Sequence, residues 1–144
     1  MRPPLAAWRR SVGRVSRSQC ILGQPQRETQ GQAVIHIIRS RANEQQITGM
    51  LQTLERYIKL AVDIRRGILA GGGAMHADCE AVLLEDGSQQ EYVWGADWDP
   101  TAQQVAFESL INIRPRQDNP SMEIIDSAIR QRVAEIAHQL LGGA

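Results

Sequence analysis

The sequence predicts an α+β domain, in which an antiparallel sheet of about five strands carries two amphipathic helices packed on one face. Short β-branched and aromatic runs separated by turn residues indicate the strands. Two stretches with apolar residues at spacings of three and four indicate the helices. The length of 144 residues fits one hydrophobic core.

The first strand and the first helix are predicted at the start of this domain. Residues 34–38 are a β-branched run that suits a strand. Asn43 stands three residues before Gln46, which is the spacing of a capping box at a helix N-terminus. The apolar positions of this helix are Ile47, Met50, Leu51, Leu54 and Ile58.

A hairpin is predicted next, although residues 58–64 fit either a continuation of the helix or a strand. The turn residues at 65–67 end in glycine and favour two paired strands, at 60–64 and 68–70. The three glycines at 71–73 then predict a bulge or kink in the second strand.

The second half of the chain is predicted to contain three more strands and a closing helix. Residues 75–84 and 89–98 are interpreted as a hairpin around Asp86-Gly87, and 105–115 as the last long strand. Asp126 is expected to cap a helix that Gly142 ends. Its apolar stripe consists of Ile129, Val133, Ile136, Leu140 and Leu141.

The first 33 residues are expected to be a basic extension to a single domain at 34–144. Within residues 1–30, six arginines stand against one glutamate, a net charge of +5. An organellar transit peptide, a translated upstream region and a disordered tail all fit this composition, and we favour the last two. No apolar run there is long enough for the core of a secretory signal.

Composition limits which binding partners and which cellular compartment are expected. The chain has a formal net charge of zero, so nothing drives it towards nucleic acid. No segment has the roughly 18 consecutive apolar residues of a transmembrane helix, so no membrane partner is expected. Two isolated cysteines, Cys20 and Cys79, suit a reducing cytoplasm and argue against structural zinc.

The predicted 75–98 hairpin gathers titratable side chains on one face of the sheet. In that register the shared face carries His76, Asp78, Glu80 and Asp97, with Gly95 leaving space above Asp78. Three carboxylates and an imidazole are suitable ligands for a divalent metal ion such as Mg²⁺, Mn²⁺ or Fe²⁺. Cys79, Trp94 and Trp98 fall on the other face, which we assign to the core.

The predicted last strand adds Glu108, Asn112, Arg114 and Arg116 to the same polar face. Asn112, Arg114 and Arg116 are candidates for binding a small anionic ligand, because a guanidinium can hold a phosphate or carboxylate with two hydrogen bonds. If the protein is an enzyme, we expect metal-assisted hydrolysis of a phosphate-bearing substrate. His76 would then act as ligand or general base and Arg114 would position the anion.

Two alternatives remain open for this polar face. Polar residues at every second position are also typical of a plain solvated sheet face. A non-catalytic module for protein–protein interaction or self-association, forming a homo-oligomer, would use the same face or a sheet edge. The glycine run at 71–73 lacks the lysine and hydroxyl residue of a P-loop.

Five stretches of the chain carry a resemblance to a known family, at residues 35–38, 69–73, 75–80, 94–98 and 111–115. Through them, residues 34–141 resemble a family of small uncharacterised bacterial proteins that are mainly cyanobacterial. The resemblance implies no known activity and supplies no catalytic residue.

Overall fold

Within residues 35–143, which the computed structural model describes, a five-stranded sheet is accompanied by three helices. The elements in chain order are β1 (His36–Ile38), α1 (Glu44–Leu51), β2 (Ile58–Asp63), β3 (Ile68–Gly71), α2 (His76–Glu85), β4 (Val93–Asp99), β5 (Gln104–Ala106) and α3 (Ser127–Leu141). The strands lie in the order β1-β3-β2-β4-β5, and every neighbouring pair is antiparallel. The predicted α+β class is confirmed, whereas the basic extension predicted at 1–33 lies outside the described residues.

Side-chain caps begin two of the helices where the sequence predicts them. The Asn43 side chain accepts a hydrogen bond from Gln46 N at 2.8 Å, and the Gln46 side chain accepts one from Asn43 N at 3.0 Å. The Asp126 carboxylate accepts a bond from Ala128 N at 2.8 Å at the start of α3. α1 ends at Leu51, so Leu54 lies beyond it.

β2 and β3 form the predicted hairpin. The Asp63 carboxylate accepts hydrogen bonds from Arg65 N and Arg66 N, both at 2.9 Å, and so fixes the turn. β3 ends at Gly71, which confirms that the glycine run interrupts the strand. The chain continues through Gly72 and Gly73 directly into α2.

Each face of the sheet packs against helices. On one face, Leu60, Val62 and Trp94 pack with residues of α1 and α3, and we call this the two-helix face. On the other, Ala61 and Ala70 pack with residues of α2, and we call this the one-helix face. The predicted architecture had no helix on the second face, and the addition of α2 corrects it.

The predicted strand at 75–84 is wrong, because residues 76–85 form α2. Its buried positions, His76, Cys79, Glu80 and Leu83, follow the helical spacing of three and four. The polar residues His76 and Glu80 stand at two of these four positions, so the sequence does not show the apolar stripe that is typical of a helix. Gly87 has a φ of +106°, which glycine adopts without strain, and the Asp86-Gly87 pair follows the helix instead of forming a hairpin turn.

Two further expectations about this half of the chain are corrected. Trp94 and Trp98 belong to the two-helix face, away from Cys79 and Leu83 of α2. The predicted strand at 105–115 is shortened to β5 at Gln104–Ala106. After β5 the chain is irregular and includes short 3₁₀ helices at Leu110–Asn112 and Pro115–Gln117.

None of the helices in the described part of the chain has both the length and the apolar character needed to cross a membrane.

Candidate functional site

A histidine and an aspartate meet where the first turn of α2 crosses β4. His76 Nε2 lies 2.8 Å from Asp97 Oδ1 and 3.1 Å from the carbonyl oxygen of Ala96. Both neighbours are hydrogen-bond acceptors, so Nε2 carries the proton and donates it. His76 Nδ1 makes no hydrogen bond to any residue in 35–143, and in the neutral ring it is the nitrogen that can accept a proton.

This pair lies in a cleft of about 340 Å³ on the one-helix face, which we call the His76 cleft. His76 is 9% exposed, so its ring forms part of the packed floor of the cleft. The polar residues that line it are Lys59, His76, Asp97, Glu108 and Ser109. Ligand sites are commonly clefts of this kind, with a few polar groups that converge.

Lys59 supplies the positive charge of the His76 cleft. It lies directly opposite Asp97 in the β2–β4 pairing, so both side chains point to the one-helix face. Lys59 makes no ion pair with any residue of the described chain, from 35 to 143. Its ammonium group is therefore available to a ligand.

The N-terminus of α2 opens onto the same cleft. Met75 occupies the N-cap position and supplies no side-chain hydrogen bond to the first turn. The amide groups of that turn therefore carry partial positive charge that no cap offsets. Both Met75 and Ala77 line the cleft beside His76.

One wall of the His76 cleft is formed by the segment that follows β5. A side chain at Gly95 would place its Cβ 2.5 Å from Ser109 Cβ, so only glycine lets this segment lie against β4. The space that we expected above Asp78 is therefore filled by Ser109 and Ile111.

The four residues predicted to bind metal are divided among three places. His76 and Asp97 meet as described, whereas Glu80 lies 3.5 Å from Arg114 and lines a neighbouring cleft of about 570 Å³. Asp78 is exposed on α2 and does not line the His76 cleft. Among the residues from 35 to 143, no three His, Cys, Asp or Glu side chains are grouped to hold a metal ion.

Asn112, predicted to bind substrate, is fully buried and bonded to the backbone. Its side-chain oxygen accepts a hydrogen bond from Gly95 N at 2.8 Å, and its side-chain nitrogen donates to Gly95 O at 3.0 Å. The amide thus pairs with the open edge of β4 as a neighbouring strand would. The same nitrogen also lies within hydrogen-bond distance of Phe107 O and Met122 O.

The Arg114 side chain is also hydrogen-bonded to the protein backbone. Its guanidinium donates to the carbonyl oxygens of Ile111 at 2.9 Å and Gln90 at 2.8 Å, and also to that of Val93. Burial lowers the pKa of Arg114, and the neighbouring Glu80 carboxylate opposes that effect. Arg116 is exposed and lines the neighbouring cleft. The structure thus separates both arginines from His76.

Cys79 lies behind the cleft and is buried. Its thiol donates a hydrogen bond to the carbonyl oxygen of Lys59 at 3.4 Å. Burial raises the pKa of Cys79 to about 11, so the thiol is protonated at neutral pH and is a poor nucleophile.

Residues 36–140 match the model of a family described as protein of unknown function (DUF5674). The chain belongs to this family. The resemblance to a family of unknown function is confirmed over residues 36–140, and this span contains every residue that lines the His76 cleft. No curated protein and no solved structure matches the chain.

Lys59 was not among the predicted site residues, although the sequence contains a signal for it. Lys59 is the only lysine in the chain, because the other fifteen basic residues of the Lys and Arg total are arginines. It also interrupts the apolar run at 58–62, where a strand buried on both faces would have no charged residue. A single charged residue in such a run indicates a place where one face of the strand is exposed to water.

Proposed function

We propose that the His76 cleft binds a small anionic ligand and that Nδ1 of His76 is the proton acceptor of the site. The observation that carries the proposal is the 2.8 Å contact between His76 Nε2 and Asp97 Oδ1, which leaves Nδ1 as the proton-accepting nitrogen. A carboxylate on one ring nitrogen holds the ring in one tautomer and leaves the other nitrogen as the acceptor.

Two features favour an anion as the ligand. Lys59 contributes an ammonium group without an ion-pair partner among the described residues, on the same face as His76. The uncapped first turn of α2 adds the partial positive charge of a helix N-terminus. An anion between them would receive both contributions, and the partly buried site would weaken them less than bulk water does.

The chemistry that the cleft supports is proton transfer. Nδ1 can remove a proton from a bound ligand or from water as a general base and return it as a general acid. Asp97 acts as a positioning residue, because it orients the ring and stabilises the imidazolium ion that forms. Metal-assisted hydrolysis has less support, since only His76 and Asp97 of the predicted ligands meet here.

The test is a thermal-shift titration of the full chain with sodium acetate, inorganic phosphate, MgCl₂ and MnCl₂. We expect at least one of the two anions to raise the melting temperature, because a ligand selective for the folded state stabilises it by mass action. The increase should be lost in His76→Gln and in Lys59→Gln. Arg56→Gln is the matched control, since Arg56 is an exposed cation that does not line the cleft.

The unique lysine provides a second readout of binding. Reductive methylation with ¹³C-formaldehyde labels Lys59 and the terminal amine only, because the chain has no other lysine. The Lys59 methyl resonance should move when acetate or phosphate is added. Unchanged resonances and melting temperatures with both anions would overturn the proposal and favour the non-catalytic interaction module. A response to Mg²⁺ or Mn²⁺ alone that Asp97→Asn abolishes would favour the metal site.

A further inference from the structure

Exposed apolar side chains are concentrated around the His76 cleft. Among residues 35–143, six large apolar side chains are exposed, and three of them line this cleft. These are Met75 at 54% exposure, Leu110 at 65% and Met122 at 41%. Large apolar groups that remain in water beside a polar pair are typical of a ligand-binding surface.

These three side chains come from separate segments that backbone hydrogen bonds hold in place. Met75 is the N-cap of α2, and Leu110 begins the 3₁₀ helix at Leu110–Asn112. Met122 belongs to the following loop, and its carbonyl oxygen accepts hydrogen bonds from Ser109 N at 3.0 Å and from Asn112 Nδ2 at 3.1 Å. The apolar wall is therefore built by the fold around the cleft.

Among anions, the charges of the cleft favour a head group with one negative charge over a head group with two. One lysine stands against two carboxylates, Asp97 and Glu108, among the residues that line it. A doubly charged phosphate would be repelled by both carboxylates with only one ammonium group to offset that repulsion. A carboxylate carries one charge and has two oxygens that can accept hydrogen bonds.

We infer that the ligand of the His76 cleft is an aliphatic monocarboxylate. Its carboxylate lies towards Lys59 and the first turn of α2, and its chain lies along Met75, Leu110 and Met122. This inference rests on the proposed anion site and specifies the ligand class. Each methylene that leaves water against such a wall strengthens binding by about fourfold.

The test is calorimetric titration of the full chain with acetate, butyrate, hexanoate and octanoate below their micelle concentrations. We expect affinity to rise by up to about fourfold per methylene and to level off once the chain leaves the cleft. Hexanol and octanol, which have the same chains without the charge, should bind at least about tenfold more weakly than the corresponding acids.

Substitutions in the wall separate the chain from the head group. Leu110→Asn and Met122→Gln should flatten the dependence on chain length, so that octanoate affinity falls much more than acetate affinity. Ile125→Asn is the matched control, because Ile125 is 55% exposed but does not line the cleft. All three positions are exposed, so these variants are expected to fold.

The outcomes distinguish this inference from the proposed function. Equal affinity for acetate and octanoate would leave the anion site in place and overturn the aliphatic ligand. No binding of any carboxylate would overturn the aliphatic ligand, and the additional absence of phosphate binding would overturn the proposed anion site as well. If octanol binds as tightly as octanoate, the carboxylate specificity is wrong. If no acid binds and Leu110→Asn changes the mass in solution measured by light scattering, the apolar wall is instead a contact between copies of the chain.

Discussion

At the scale of single residues, Asn112 shows how a residue that looks suited to ligand binding serves the fold. Its buried amide contacts four backbone groups: the N–H and carbonyl oxygen of Gly95 and the carbonyl oxygens of Phe107 and Met122. The Asn112 side chain thus links Gly95 of β4 to Phe107 and Met122 in the segment that follows β5. The sequence could not reveal this, because an asparagine in a predicted strand looks the same whether it faces water or a sheet edge.

Replacement of Asn112 should therefore destabilise the protein. We expect Asn112→Ala to lower the free energy of unfolding by about 3 kcal/mol, because several buried backbone groups lose their partner. Chemical denaturation measures the change. Gln131→Ala on the exposed surface of α3 is the control and should change stability by less than about 0.5 kcal/mol. An Asn112→Ala protein as stable as its control would contradict this account.

The Asp86 carboxylate, just after α2, forms ion pairs that link α2 to two other segments of the chain. Arg39, after β1, and Arg66, in the β2–β3 turn, donate hydrogen bonds to its carboxylate at 2.7 and 2.8 Å. These two hydrogen bonds lower the pKa of Asp86 from 3.8 to about 2, and the bond from Arg39 has the larger effect. A carboxyl whose pKa is lower in the folded state stabilises the fold above its unfolded pKa, and this contribution is lost as the pH falls through the folded pKa.

The pH dependence of stability should show this contribution. We expect Asp86→Asn to be less stable than the parent above about pH 4, and the difference to shrink between about pH 4 and pH 2. Glu85→Gln, which changes the neighbouring exposed carboxylate, is the control. NMR titration should also show the pKa of Asp86 rising towards 3.8 in Arg39→Ala. A normal pKa of Asp86 in the parent protein would refute the assignment.

At the scale of secondary-structure elements, the sequence predicts correctly the caps and turns that depend only on residues close together in the chain. The caps at Asn43 and Asp126 and the turn around Asp63 depend on side chains and amides a few residues apart, and all three are present. α2 lacks such a signal, because Met75 is its N-cap and its buried stripe includes His76 and Glu80. The alternating pattern at 76–84 therefore favoured a strand, although tertiary burial makes it a helix.

The wrong secondary structure at 76–84 also explains why only part of the candidate site was predicted. His76 and Asp97 were placed on one face by a hairpin that does not exist, whereas the contact between them arises from the crossing of α2 over β4. Asp78 and Glu80 followed His76 at alternate positions in a strand, but in a helix they point in other directions. Lys59 was missed because its neighbour Asp97 was assigned to a different strand pairing.

The missing cap of α2 leads to a prediction that couples stability with binding. A serine at the N-cap accepts a hydrogen bond from the first turn, so Met75→Ser should raise the free energy of unfolding by about 1 kcal/mol. The same bond uses an amide that would attract an anion, so acetate affinity should fall. Denaturation and calorimetry with acetate measure the two effects. A Met75→Ser protein that gains stability without losing acetate affinity would show that these amides do not contribute to the site.

At the scale of the whole molecule, the position of the site follows from incomplete coverage of the sheet. α2 covers one part of the one-helix face, where Ala61, Ala70 and Val93 are buried. At the N-terminus of α2 this coverage becomes incomplete, because His76 contacts Asp97 while Lys59 and Asp97 remain partly exposed. The His76 cleft thus lies at the boundary between the covered and the open part of the sheet.

The most direct measurement of the central claim is the ¹⁵N NMR spectrum of the histidine side chains, recorded without and with acetate. For neutral His76 we predict a proton on Nε2 and an unprotonated Nδ1 whose resonance moves as acetate is added. The resonances of His138, an exposed residue of α3, should stay in place. A proton on Nδ1 of neutral His76, or a His76 spectrum that acetate leaves unchanged, would contradict the account.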